Sequence, residues 1–130
     1  ANEADRCLAL IVMLDQFTRN MFRHSARAFS GDEMALALSL RCVERKYLDA
    51  DKPFYCQFML MPMMHSEDIG IQDMSLPLFE KYTSKLTYDY AVKHRDVITR
   101  FGRFPHRNSM LGRPSSREEE QFLTQPGSSF

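Results

Sequence analysis

Residues 7–23 read "CLALIVMLDQFTRNMFR", and this stretch decides the fold. Ala4, Cys7, Leu8, Ile11, Leu14 and Phe17 recur at intervals of three and four, the period that lines up one face of an α-helix. Leu10, Val12 and Met13 fill the other side, so the pattern predicts a helix from about Asn2 to Phe22, buried nearly all round. The apolar run from Cys7 to Leu14 stops at Asp15. That is under half of the roughly 20 residues a bilayer requires, so no membrane span is predicted.

Helical periodicity continues outward from this segment. Ser30 with Glu33 has capping-box spacing and predicts a second helix to about Tyr47, lined by Met34, Leu36, Ala37, Leu40 and Val43. Pro53 suits a first helical turn and opens a third helix to about Met63, which Pro62 should kink or stop. A fourth follows "HSED", capped by Ser66 or Asp68, with Pro77 in its middle. Leu86 to Phe101 forms a fifth, and Ser116 with Glu119 opens a short sixth. Strand-like alternation is absent. The expected fold is all-α: a single domain over 1–130, about six antiparallel helices in a tetratricopeptide-like right-handed array, although no sequence repeat is visible.

Composition narrows the function classes. The chain has 130 residues, 44% hydrophobic, with 17 basic and 17 acidic side chains. A chain with no basic excess is a poor nucleic-acid coat, so no nucleic-acid partner is predicted. Cys7, Cys42 and Cys56 are an odd count without short spacing, which makes neither a disulfide framework nor a zinc motif. They read as small buried apolar groups in a reducing compartment, within a soluble protein of the cytoplasm or an organelle interior. The chain opens on Ala1, already inside a helical pattern, which reads as a processed or partial sequence.

Three polar islands interrupt the apolar pattern. In the first, Asp15, Arg19 and Arg23 are spaced by four and share a helix face. A carboxylate entering a buried face needs a partner, and Arg19 is placed to be one. In the second, "HSED", His65 enters from the core side beside Glu67 and Asp68; the set lacks the one-turn spacing of a metal pair. The third joins His94 to "FGRFPHRN". Gly102 should end the helix in the left-handed conformation. Phe101 and Phe104 should then cover the core while Arg103, His106, Arg107 and Asn108 turn toward the first two islands.

The motifs "LALIVMLDQFTRNMFR", "PMMHSEDIGIQ", "YAVKHRDVITRFGRFPHRNSMLGR" and "EEEQFLTQPGSSF" together resemble the bacterial family called domain of unknown function 924. The resemblance covers Leu8 to Phe130. Two prolines of the family pattern are replaced, by Thr18 in "DQFTRN" and by Arg117 in "SSREE". The resemblance implies a tetratricopeptide-like helical fold, a chain that lacks the family's N-terminal portion, and no particular reaction. It singles out Asp15, Gln16, Arg19, Asn20, His65, Glu67, Asp68, Gln72, His94, Arg103, His106, Arg107 and Asn108. With Arg23 from the first island, these form the candidate polar pocket.

Two functions remain open. The first is a helical scaffold or binding module, an accessory subunit that meets a protein partner or neighbouring subunits. The second is a binding protein or enzyme with a His/Arg/carboxylate pocket for a small anionic ligand, with His65 or His106 as acid or base. There is no nucleophile elbow, phosphate-cradling glycine loop or strong metal motif, so no cofactor and no catalytic residue are assigned. Needing no assumption about chemistry, the scaffold reading ranks first.

Overall fold

A computed structural model describes residues 2–50 and 52–130. Ala1, on which the reading of the chain's opening rests, and Asp51, within the expected break at 48–53, lie outside the described residues. Seven α-helices follow one another: α1 (Glu3–Val12), α2 (Thr18–Met21), α3 (Asp32–Glu44), α4 (Pro53–Met64), α5 (Ile69–Tyr82), α6 (Lys85–Phe101) and α7 (Arg117–Leu123). A π-turn, Met13–Phe17, joins α1 to α2 without leaving helical backbone angles, so they form one rod. Counted this way the described residues form six helical rods. There is no strand among the described residues. None of the helices is long and apolar enough to cross a membrane.

The first rod differs from expectation on its outer side. Cys7, Ile11 and Asp15 are buried, whereas Leu10, Met13, Phe17 and Met21 are 45–60% exposed. The physical reason is one-sided packing: α3 and α4 cover a single face of this rod. The start of α3 also shifts. Ser30 bonds back to the Arg27 carbonyl, and Gly31 takes the N-cap position. A Cβ on Gly31 would sit 2.3 Å from the Leu14 carbonyl oxygen, so only glycine permits this approach. α3 ends at Glu44, short of Tyr47, which starts a separate 3₁₀ turn, Tyr47–Ala50.

α4 carries Pro53 in its first turn and continues past Pro62 to Met64. Pro62 has no N–H to donate to the Phe58 carbonyl, so the helix passes it at the loss of one backbone bond. Pro77 likewise sits inside α5 without ending it, and Asp68 caps that helix by accepting from the Gly70 and Ile71 N–H groups. Cys7, Ile11, Cys42, Cys56, Met59, Leu60, Met63 and Phe79 belong to the main core. Val97, Ile98 and Phe104 form a smaller one, against which Phe101 and Phe122 pack. No disulfide is present among the described residues. Cys42 Sγ donates to Cys7 Sγ at 3.3 Å, far beyond the about 2.05 Å of an S–S bond.

Candidate functional site

The π-turn creates the first element of the site. A π-turn inserts one extra residue per turn and so redirects a side chain; here it carries Asp15, only 1% exposed. Asp15 Oδ1 accepts from Arg19 Nη1 at 2.6 Å and lies 2.7 Å from His65 Nδ1, while Oδ2 accepts from Gln16 Nε2 at 3.0 Å. Arg19 also forks onto both oxygens of Asp32, at 2.9 and 3.0 Å. Burial alone would raise the Asp15 carboxyl. The hydrogen bond from His65, the Arg19 guanidinium and the Gln16 amide outweigh it and hold the group below its ordinary value.

His65 caps the C-terminus of α4, which carries it to Asp15. Burial lowers its pKa against the pull of Asp15, with Arg19 and Arg107 adding to the fall. A neutral imidazole facing an ionised carboxylate must hold its proton on Nδ1. That leaves the Nε2 lone pair for the pocket, where it is able to accept a proton.

The loop after α6 supplies the second element. Gly102, at φ 73°, ends α6 in the left-handed conformation and turns the chain back. Phe104 is fully buried, and the 3₁₀ turn Pro105–Arg107 presents Arg107 beneath it. The guanidinium of Arg107 lies between two rings, 4.6 Å from the centroid of Phe29 and 4.7 Å from that of Phe104. Nη2 donates to the His65 carbonyl at 2.8 Å. Nη1 is 3.9 Å from Asp32, beyond a hydrogen bond, and Nε–H has no partner. Burial lowers this guanidinium to about 10, helped by Arg19, so it remains cationic near neutral pH.

These elements line one pocket of about 750 Å³. Of the sequence-predicted residues, Gln16, Arg19, Asn20, Arg23, His65, His94, His106 and Arg107 line it, with Asp15 behind Arg19 and His65. Arg19, Arg23 and Arg107 are its cations, and among the described residues no Asp or Glu is on its wall. The remainder is largely apolar or aromatic: Phe29, Met61, Met64, Leu86, Tyr90, Phe104, Met110 and Phe130. Phe130 stacks on His94 at 3.8 Å between centroids. His94 gives its Nδ1–H to the Tyr90 carbonyl at 2.7 Å, and burial lowers its pKa to about 3. Burial, then Arg107, lowers His106 to about 4, and its Nδ1 is buried without a partner. Among the described residues no group of three His, Cys, Asp or Glu side chains is placed to hold a metal ion.

The other predicted residues form a separate network. Glu67 accepts two bonds from Arg113, at 2.9 and 3.1 Å, and one from the Phe104 N–H at 2.6 Å. Burial works against its charge, but Arg113 and that N–H outweigh it. Arg103 turns away from the first two islands to Glu119, at 2.8 and 2.9 Å, and Asn108 bonds Glu119, Ser115 and Arg113. The Arg103 hydrogen bond, aided by the Ser116 N–H, lowers Glu119 to about 2. Gln72 is fully buried, and its amide holds the Met64 and Ser66 carbonyls between α4 and α5. Asp68 is a helix cap. Glu67, Asp68, Gln72, Arg103 and Asn108 therefore fix the walls and do not line the pocket.

Sequence reasoning missed Asp32, Arg113 and Glu119 as partners, and it missed the apolar half of the pocket. Asp32 stands in "SGDE", where its role as a helix start hid it. Glu119 was legible only as half of a capping box, which it also forms. Arg113 had a signal, since it ends the same motif that carries Arg103 and Arg107.

Two comparisons place the chain among known proteins. The model of the family described as "Bacterial protein of unknown function (DUF924)" matches residues 1–127. A solved structure of a protein of unknown function from Agrobacterium tumefaciens is similar, with 38% identity and a TM-score of 0.88. The match covers 92% of this chain and 68% of that one. Among curated proteins, none matches. The whole length of the family match and the agreement in fold lead to one conclusion: this chain belongs to the DUF924 family.

Proposed function

We propose that the chain is a small-molecule binding protein whose pocket takes an anionic group against Arg107 and Arg19. One observation carries this reading. Arg107 is 6% exposed, is charged near neutral pH, and has no carboxylate within hydrogen-bond reach, because Arg19 takes both oxygens of Asp32. A buried charge whose nearest carboxylate, Asp32 at 3.9 Å, is already held by Arg19 is costly, and rings and one carbonyl compensate it only in part. An anion entering a wall that holds three arginines and, among the described residues, no Asp or Glu would complete the pairing.

The test follows the Arg107 Nε–H resonance by nuclear magnetic resonance while acetate or phosphate is added at constant ionic strength. A saturating shift, absent in Arg107→Gln, supports the reading; a linear, unsaturating response equal to that of exposed arginines refutes it. The scaffold reading draws on a different observation, the exposed stripe Leu10, Met13, Phe17 and Met21 along the first rod. Such a stripe suits a helical partner or neighbouring subunit. Light scattering across a concentration range tests it, with Phe17→Ser as the disrupting variant.

A further inference from the structure

Resting on the anion-pocket reading, we infer that the ligand is a monocarboxylate with a long apolar body, bound head inward. The geometry is read along α6. Leu86, Tyr90 and His94 stand one turn apart on the face that lines the pocket. Their exposure falls from 68% to 49% to 5%, so the helix runs from the mouth of the pocket to its floor. Two turns and a little more of helix give a depth of about 12 Å.

Chemistry changes along that depth. The floor holds Arg107, bonded to the His65 carbonyl, and His94 lies 6.3 Å from His65 between ring centroids. The mouth holds Leu86 beside Thr87, whose hydroxyl is bonded to Gln57, with Tyr90 and Met61 leading inward. A polar head at the floor with an apolar body toward the mouth matches this order, and the reverse orientation matches none of it. The head is a single charge. Arg107 is the cation of the floor with no carboxylate in hydrogen-bond reach, its nearest being Asp32 at 3.9 Å, which Arg19 already holds, and His65, His94 and His106 are held neutral by burial. A phosphate dianion would bring a second charge, and of the other two arginines Arg19 is already paired with Asp15 and Asp32 while Arg23 is exposed. Methionine walls suit bodies that vary in shape.

Titration calorimetry with acetate, butyrate, hexanoate and octanoate tests the inference, with octanol and inorganic phosphate as controls. Affinity should rise about threefold to fourfold for each methylene buried, and the gain should flatten once the body reaches the mouth. Octanol should bind at least tenfold more weakly than octanoate, and phosphate no more tightly than acetate. Leu86→Gln, at a site exposed enough to leave the fold intact, should weaken octanoate and leave acetate unchanged. If acetate and phosphate bind while longer chains add nothing, the class is wrong and the anion pocket stands. If octanol equals octanoate, the head-inward placement at Arg107 is wrong. If no anion binds, both readings fall together.

Discussion

Replacing Asp15 with Asn removes a charge and keeps the shape, which isolates what the carboxylate does. Asp15 is buried and accepts from Arg19, His65 and Gln16. Stripping one partner from a buried ion pair costs about 3–5 kcal/mol, and a hydrogen bond to a charged group contributes about 1.5–3 kcal/mol. Arg19 keeps both Asp32 oxygens in Asp15→Asn, and the amide oxygen still accepts. The expected loss is therefore near the low end, about 2–3 kcal/mol, which for a chain of this length lowers the melting temperature by roughly 10 °C. Calorimetry or circular dichroism melts measure it directly. The effect must also depend on pH in a defined sense. The Asp15 pKa is lower folded than its ordinary 3.8, so the carboxylate's stabilisation is present above that value and is lost as pH falls through the folded pKa. The gap between wild type and Asp15→Asn should close there. A melting temperature equal to wild type near neutral pH, or a gap that persists unchanged in acid, refutes the argument.

Other expected outcomes follow from the same geometry. His94 and His106 have folded pKa values of about 3 and about 4 against an ordinary 6.5. The unfolded chain therefore gains protons first, and stability should fall from pH 6.5 downward; urea titrations should show a shallower fall in His94→Asn. Gly31→Ala should cost about 3 kcal/mol or more, because its Cβ would meet the Leu14 backbone oxygen and not a flexible side chain; a denaturation midpoint shows this. Glu119→Gln should lower stability without changing acetate or octanoate affinity, since Glu119 braces Arg103 and Asn108 outside the pocket. Thiol titration in denaturant without reductant should find three thiols, Cys7, Cys42 and Cys56, with no mass change on reduction.

Much of the fold was legible because helical period and caps are local signals. Asp68 and Ser116, both legible as caps, accept from the first turn of their helices; Asn2 and Ser84 do the same but were not read as caps. The Ser30 cap failed because a tertiary contact decided it: Gly31 packs on the Leu14 backbone and sets the start of α3. The outer side of the first rod failed for a related reason. A run of apolar residues does not say how many faces its neighbours cover. The Asp15–Arg19 pair was readable from spacing alone. The division between pocket and bracing network was not, because it rests on contacts between distant segments. Glu67 meets Arg113 and His65 meets Asp15 across long separations in the chain, and neither pairing leaves a periodic trace.

The most direct test of the central claim is a crystal structure of the protein grown with ω-bromooctanoate. Anomalous scattering from bromine locates the end of the body, and ordinary density locates the carboxylate. The account predicts the carboxylate within hydrogen-bond reach of Arg107 and the bromine toward Leu86. Bromine at the floor beside Arg107, or a ligand bound only outside the pocket, would contradict it.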